Sequence, residues 1–115
     1  MKALTIKQPF AHAIAIGAKL VEYRSWKTDY RGPLAIHAGC AIPRITDWDE
    51  VRAHYNIDLP DDQEFVLGAI VATAELINVT GDADTGYEWH LSSVMPLSKP
   101  VNCLGKLRLW ETDVL

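Results

Sequence analysis

The octapeptide GAKLVEYR at residues 17–24 decides how this chain is interpreted, because it joins a predicted helix to a predicted strand. Gly17 can take the left-handed backbone conformation that commonly ends a helix. From Lys19 to Trp26 the chain then follows the two-residue repeat of a strand. Two sets of side chains are therefore expected on opposite faces of this strand: Leu20, Glu22 and Arg24 on one, and Val21 and Tyr23 on the other.

A strand and a short helix precede this octapeptide. The apolar run Ala3–Ile6 predicts a strand that stops at Gln8-Pro9, and proline suits the first turn of a helix because it has no N–H to lose there. We expect the helix to run from Pro9 to about Ile16, with apolar residues at three- and four-residue spacing. The turn at residues 17–19 is then expected at the mouth of a small barrel, where such folds leave a cleft.

The rest of the chain contains β-like segments and one more helix. Thr46 is expected to cap the second helix, because the acids that follow it suit the positive end of the helix dipole. The longest β-like stretch, Val66–Val79, is expected to bend near Gly68 or Ala74. The other predicted strands are Leu34–Ala38, Tyr87–Leu97 and Leu104–Trp110, with Pro96 and Pro100 restricting where pairing can occur.

These segments favour an α+β fold over a doubly wound fold, which needs a regular alternation of strands and helices. We expect a small mixed β-barrel of about five to six strands with two to three helices. A chain of 115 residues has the size of one domain and can bury roughly two thirds of the surface that its unfolded form exposes. Residues 1–115 are therefore expected to form a single domain.

Composition and charge narrow the possible functions. Hydrophobic residues make up 49% of the chain and charged residues 23%, which is typical of a globular protein and excludes a disordered or collagen-like one. The net charge of −4 argues against a broad nucleic-acid surface, because such binding depends on Lys and Arg. The N-terminal part is nevertheless locally basic, since residues 1–31 hold six of the eleven basic side chains: Lys2, Lys7, Lys19, Arg24, Lys27 and Arg31.

The sequence contains no signal for a targeting segment, a membrane span, a cofactor or a metal site. The start MKALTIKQPF lacks an apolar signal core, and no stretch approaches the ~20 apolar residues that cross a bilayer, so we expect a cytoplasmic location. Cys40 and Cys103 stand outside zinc-chelating spacing and are expected to be reduced and packed. His12 and His90 also lack partners at metal-binding spacing. We expect no cofactor, no metal, no membrane contact, and a monomer.

The pattern GxKxxExR at residues 17–24, preceded by KQPFA at residues 7–11, resembles the signature of the ASCH domain family. The turn YRGP at residues 30–33, the following strand with His37, and the closing segment from Trp89 to Glu111 also resemble small prokaryotic and phage-type members. The resemblance covers nearly the whole chain. It implies a PUA-like fold, a pocket between the first helix and the barrel, and either RNA binding or chemistry on an RNA-derived nucleoside.

Two enzyme activities are implied by resemblance to particular members of this family. Some members resemble an acetylcytidine amidohydrolase, which implies catalytic roles for Lys19 and for the residue at position 22. Those members have Thr where this chain has Glu22, and a carboxylate can act as a general base but cannot form the same ester intermediate. Other members resemble metal-independent ribonucleases that combine the same Lys with hydroxyl side chains, for which Ser25, Thr28 and Tyr30 are candidates here.

A polar pocket is expected around Lys19, Glu22 and Arg24. Without the family resemblance, Lys19 would be a solvated lysine, and Glu22 and Arg24 a surface ion pair that contributes only ~0–1 kcal/mol. If their face lines the barrel mouth, their burial requires a charged partner or a ligand. The carboxylate can then accept from an exocyclic amine or a ribose hydroxyl, and the guanidinium can reach a phosphate or a carbonyl.

Further residues are expected at the same ligand. Trp26, Tyr30 and Trp89 can each stack on a base, worth ~1–3 kcal/mol, or pack in the core, as aromatic residues at strand spacing commonly do. His37 can face the same mouth or be a hydrogen-bonded core histidine. Basic side chains are expected along the backbone of the ligand: Lys7, Lys27 and Arg31.

Three functions remain open at this point. The first is a binding module that takes a nucleotide, a modified nucleoside or a short single-stranded RNA segment into the pocket. The second is a hydrolase, either an amidohydrolase on an acetylated cytidine nucleoside or a weak ribonuclease, with Lys19 perturbed by burial and Glu22 as base. The third is a protein-interaction module that acts through its proline-containing and acidic loops, including residues 58–64. The first is the leading hypothesis, because RNA is commonly read through splayed bases rather than through a wide basic face.

Overall fold

The computed structural model describes residues 1–41, 44–59 and 65–115. These residues form six strands and two helices, which confirms the predicted α+β class. Most of the acidic loop expected at residues 58–64 lies outside the described residues. In chain order the elements are β1 (Lys2–Ile6), α1 (Phe10–Ala15), β2 (Val21–Arg24), β3 (Gly32–Ala38), α2 (Ile45–Tyr55), β4 (Ala69–Asp82), β5 (Gly86–Asn102) and β6 (Leu109–Glu111).

The six strands form one sheet in the order β2-β5-β4-β3-β1-β6. β1 and β3 are parallel, and every other neighbouring pair is antiparallel. The expected barrel is not closed by the described strands, which leave β2 and β6 as the two edges of the sheet. β6 has three residues, all of them paired with β1.

β4 and β5 form a long antiparallel hairpin that is the frame of the sheet. β4 begins at Ala69, after Gly68 with φ +67. Its pairing with β5 shifts register at three points, one of them between Thr73 and Glu75. The bend expected near Gly68 or Ala74 is therefore present at both places.

β5 is longer than the sequence predicts, and β6 is shorter. β5 continues to Asn102 instead of ending at Leu97, and the last strand is Leu109–Glu111 instead of Leu104–Trp110. Pro96 and Pro100 are tolerated within β5 because β2 pairs only with its first part, residues 87–90. The later part of β5 is a sheet edge, where a missing N–H interrupts no second ladder.

Both faces of the sheet are covered, as the alternating side chains of its central strands require. On one face Leu34 and Ile36 of β3 pack with Ile14 of α1. On the other face Ala35 packs with Ile70 and Trp110. α1 lies close to the sheet because the other side chains that it buries are small: Ala11, Ala13 and Ala15.

The two helices begin differently from the predictions. α1 has Pro9 as its N-cap and Ile16 as its C-cap, so it is slightly shorter than expected. In α2 the N-cap is Arg44, and Thr46 lies inside the first turn. The ion pair between Arg44 and Asp47 (Nε to Oδ2, 3.1 Å) holds this turn in place of a hydroxyl cap. In the part of the chain that the structure describes, neither helix is long and apolar enough to cross a membrane.

Candidate functional site

The turn after α1 places the side chain of Lys19 inside the protein. Gly17 has φ +80, and the N–H groups of Ala18 and Lys19 both donate to the carbonyl oxygen of Ala13 at 3.0 Å. These hydrogen bonds fold the chain back on the helix, and Lys19 is only 3% exposed. Its Nζ donates to the carbonyl oxygen of Val21 at the start of β2.

Glu22 lies between two cations. Its Oε1 is 3.4 Å from Lys19 Nζ, and its Oε2 accepts from Arg24 Nε (3.0 Å) and Nη2 (2.8 Å). Arg24 Nη2 also donates to the carbonyl oxygen of Thr5 (2.8 Å), which ties β2 to β1. Glu22 is 7% exposed, and removing one partner of such a buried pair typically costs ~3–5 kcal/mol. We call Lys19, Glu22 and Arg24 the charge network.

Burial lowers the pKa of Lys19 below its usual range, because the neutral amine is the form favoured away from water. The negative charge of Glu22 opposes this shift, and the positive charge of Arg24 adds to it. A lysine with a lowered pKa releases its proton more readily than a surface lysine does, which is a property that acid–base catalysis uses.

An open cavity of about 640 Å³ lies over the charge network, all three members of which line it. We call it the site cavity; ligand pockets typically enclose ~300–1,000 Å³. Phe10 of α1 and Tyr23 of β2 supply aromatic wall, with ring centroids 5.9 and 4.8 Å from Lys19 Nζ. Tyr23, expected to face away from Glu22, also lines the cavity; it lies on an edge strand of the sheet and is 62% exposed.

Lys7 reaches the site cavity, but it is already paired. Its Nζ lies 3.2 Å from Asp47 Oδ2 and 5.5 Å from the ring centroid of Phe10. Hydrogen bonds from Arg44, and less strongly from Lys7, hold the pKa of Asp47 below its usual range. Asp47 therefore already balances the charge of Lys7, although the ammonium keeps N–H donors beyond this contact. α2 adds a second carboxylate to the cavity wall, that of Glu50.

The two tryptophans expected at the ligand lie outside the site cavity. Trp89 is 0% exposed, and its Nε1 donates to the carbonyl oxygen of Trp26 (3.2 Å). The two rings pack edge to face, with centroids 4.7 Å apart at 79°. The guanidinium of Arg108 lies 5.1 Å from the Trp26 ring centroid. Trp89 is therefore a core residue, as its strand spacing alone suggests.

Tyr30 and Arg31 also lie away from the charge network. The Tyr30 hydroxyl donates to the carbonyl oxygen of Pro33 in β3, and Arg31 Nη1 donates to the carbonyl oxygens of Thr28 (2.9 Å) and Tyr30 (2.8 Å). Thr28 Oγ1 accepts from the Tyr30 N–H (3.1 Å). Two of the hydroxyl groups considered for a ribonuclease are therefore engaged outside the site cavity, whereas Arg31 lines a different cavity together with Lys27.

His37 is a hydrogen-bonded core histidine in this structure. Its Nδ1 lies 3.2 Å from Thr5 Oγ1 and its Nε2 lies 2.8 Å from the carbonyl oxygen of Cys103. Because a carbonyl oxygen only accepts, Nε2 carries the proton. The ring packs edge to face against Trp110, at 5.5 Å. His37 therefore lies on the face of the sheet that carries Ala35, Ile70 and Trp110, and it does not line the site cavity.

Several residues that line the site cavity were not predicted from the sequence. Phe10 lies within the KQPFA segment of the family resemblance, which was enough to suggest it. Glu50 lines the cavity because of where α2 packs, and no local sequence pattern predicts that packing. Cys40 lines the cavity and is exposed, contrary to the expectation that it is packed, whereas Cys103 is half-buried. Over residues 1–41, 44–59 and 65–115, no group of three or more His, Cys, Asp or Glu side chains is placed to hold a metal ion.

The chain is similar to known proteins over most of its length. A family model described as the ASCH domain matches residues 4–99. The human protein Activating signal cointegrator 1 is 32% identical over 79 residues, which cover 65% of this chain and 14% of the human protein. The mouse protein of the same name is 23% identical over an alignment of 127 positions, gaps included, which covers 96% of this chain and 22% of the mouse protein. The chain thus spans less than a quarter of these curated relatives.

Proposed function

The chain belongs to the ASCH domain family, a PUA-like family that is often RNA-binding, and on that basis we propose that the site cavity binds a nucleotide or one base of a short single-stranded RNA. Residues 1–115 would act as one ASCH domain. The observation that carries this proposal is the buried charge network at the wall of an open cavity. Its donors and acceptors are held in fixed positions by one another, so they can recognise the polar edge of a base with little reorganisation.

Each wall of the site cavity has a role in this proposal. Phe10 and Tyr23 offer aromatic surfaces on which a base can stack, and such stacking contributes ~1–3 kcal/mol. Glu22 keeps lone pairs beyond those used by its two partners, so it can accept from an exocyclic amine. Arg24 has further N–H donors for a base carbonyl or a phosphate. Lys19 fixes the position of Glu22 by its contact with Oε1.

A hydrolase acting on an acetylated cytidine nucleoside is the second candidate, and the lowered pKa of Lys19 favours it. In that reaction Glu22 would take a proton from water, whose oxygen attacks the acetyl carbonyl. The C–N bond would then break, and Lys19 would protonate the departing amine, which gives acetate and cytidine. Both Glu22 oxygens already contact cations, so a base role requires one of these contacts to be released. For this reason we place binding first.

The test combines calorimetric affinity with chromatographic detection of acetate, using cytidine, N4-acetylcytidine and a five-nucleotide single-stranded RNA. Lys19→Met keeps the aliphatic stem and removes the charge, and we expect it to weaken binding about tenfold or more. Glu22→Gln keeps the shape and removes the base. We expect it to change affinity only, with no acetate released by any form of the protein.

The matched controls are Lys99→Met and Asp113→Asn, which make the same kinds of change at exposed positions outside the site cavity. Both are expected to bind like the wild type. If the wild type releases acetate and Glu22→Gln reduces the rate of release ~10²–10⁴-fold, the protein is a hydrolase and the binding proposal is wrong. If neither Lys19→Met nor Glu22→Gln differs from its control, the site cavity is not the functional site.

A further inference from the structure

Two further cavities follow the site cavity along the surface, each sharing lining residues with the one before it. Tyr23 and Arg24 line both the site cavity and a second cavity of about 400 Å³. Gly81 and Tyr87 line both the second cavity and a third one of about 450 Å³. The three cavities therefore adjoin one another along a path that starts over the charge network, crosses β2 and ends beside the turn between β4 and β5. We call this path the groove.

The groove crosses β2 where this strand is the edge of the sheet. The Leu91 N–H donates to the carbonyl oxygen of Leu20 (2.9 Å), so the alternation of an antiparallel ladder directs the backbone groups of Val21 and Tyr23 to the free edge. The Val21 carbonyl accepts from Lys19 Nζ. A ligand that leaves the site cavity in this direction meets the exposed ring of Tyr23 and the backbone polar groups of the same residue.

The third cavity is lined by two basic side chains of a kind that the site cavity lacks, Lys27 and Arg31. Among the described residues, Lys27 and Arg31 form no ion pair with a carboxylate, whereas the basic side chains at the site cavity are all paired: Lys7, Lys19 and Arg24. Asp29 and Asp82 also line the third cavity. Asp82 Oδ1 accepts hydrogen bonds from the N–H groups of residues 84 and 85 and from the Thr85 hydroxyl, so it braces the turn.

Aromatic and cationic side chains that follow one another along a groove are the pattern by which proteins bind single-stranded nucleic acids. We propose that the groove binds single-stranded RNA, with one base in the site cavity, the chain crossing β2 beside Tyr23 and Tyr87, and a following phosphate against Lys27 and Arg31. This inference rests on the proposed function and deepens it. It identifies the ligand as a strand of about three nucleotides, one for each cavity, instead of a free nucleoside.

The test measures affinity against length, with cytidine and adenosine and with their di-, tri- and pentanucleotides, by calorimetry in one buffer. The trinucleotide of the better series is expected to bind about tenfold or more tighter than its nucleoside, because it adds stacking on Tyr87 and a phosphate contact. The pentanucleotide is expected to bind like the trinucleotide, since the groove ends at the third cavity. A continued rise from three to five nucleotides would overturn the proposed path.

Lys27→Met and Arg31→Gln distinguish binding along the groove from binding in the site cavity. Both are expected to weaken the affinity for the trinucleotide at least about threefold and to leave the affinity for the nucleoside within about twofold of wild type. The control Lys99→Met is expected to change neither affinity. Arg31 hydrogen-bonds to backbone carbonyls, so Lys27→Met is the variant that leaves the turn intact. If both variants match the control, or if nucleoside and trinucleotide bind equally well, the groove proposal fails and the function of the site cavity stands. If no ligand of any length binds, both proposals fail.

Discussion

A buried carboxylate is stable only when its partners compensate for lost hydration, and Glu22 has Lys19 on one oxygen and Arg24 on the other. Arg24 also reaches the backbone of Thr5. A lysine at position 24 would lose the second contact to Glu22, the one from Nε, because only the planar guanidinium presents donors on several nitrogens in a fixed fork. The geometry of the charge network therefore depends on the identity of each member as well as on its charge.

The pKa of Lys19 is a direct reporter of this network. We expect Lys19 to titrate below the ordinary lysine value of 10.5, and Glu22→Gln to lower its pKa further, because the glutamate charge opposes the effect of burial. The measurement is an NMR titration of the Lys19 Cε and Nζ signals, with the exposed Lys99 as internal control. An unchanged or higher pKa of Lys19 in Glu22→Gln would contradict the proposed electrostatics.

The same shift predicts how stability depends on pH. Between the folded pKa of Lys19 and 10.5, the unfolded chain binds more protons at this residue than the folded protein does. The contribution of Lys19 to the free energy of unfolding therefore rises with pH in that window. Urea denaturation of wild type and Lys19→Met at several alkaline pH values should show a difference in stability that moves in favour of the wild type as pH rises. A difference that moves the other way would refute the assignment.

Local spacing predicted part of this arrangement. Glu22 and Arg24 are two residues apart on a strand, so a shared face follows from the backbone alone. Tyr23 follows Glu22 by one residue and still lines the site cavity, which its spacing on the strand does not predict. The ion pair between Lys7 and Asp47 joins residues forty positions apart, and only the tertiary fold brings such residues together.

At the scale of the elements, the hairpin of β4 and β5 depends on a close backbone approach at Gly81. A Cβ there would lie 2.2 Å from the carbonyl oxygen of Gly86, and φ at Gly81 is +111. Gly17 also has a positive φ, +80, but its Cβ would meet no atom within 4 Å. Substitutions at these two glycines therefore distinguish the effect of backbone strain from the effect of a steric collision.

Gly81→Ala is expected to destabilise the protein more than Gly17→Ala. The change at Gly17 adds backbone strain alone, about 1–2 kcal/mol, whereas the change at Gly81 adds a collision with backbone that overpacking studies place at a further ~1–3 kcal/mol. Chemical denaturation of both variants measures the difference. Equal losses of stability would mean that the hairpin can open at Gly81 without penalty.

The end of β5 and the start of α2 are two element boundaries that the local sequence does not predict. Pro96 and Pro100 suggest a strand end, but their effect depends on whether a second strand pairs at that point, which is a property of the whole sheet. Thr46 has the side chain of a good cap, yet the ion pair between Arg44 and Asp47 fixes an earlier start. Local sequence patterns predicted which elements exist and their order along the chain. The residues at which the elements begin and end depend on contacts such as strand pairing and the ion pair of Arg44.

For the whole molecule, a net charge of −4 and the pairing of the cations at the site cavity imply few contacts with phosphates. The logarithm of RNA affinity is expected to fall with the logarithm of salt concentration with a slope of roughly −1 to −3, because each neutralised phosphate of a single strand contributes ~−0.7. Titrations at several salt concentrations, with a single strand of about ten nucleotides that carries more phosphates than the proposed contacts, give the slope. A slope several times steeper would mean an extended basic surface instead of the groove.

Binding of a base in the site cavity is tested most directly by an NMR measurement of contacts between a bound nucleoside and the protein. With the tightest binder among the four ribonucleosides, we expect nuclear Overhauser contacts from the base protons to the rings of Phe10 and Tyr23, with shifts of the Lys19, Glu22 and Arg24 side-chain signals. Contacts confined to another surface, such as the one around Trp110, or base contacts that persist unchanged in Lys19→Met, would contradict it.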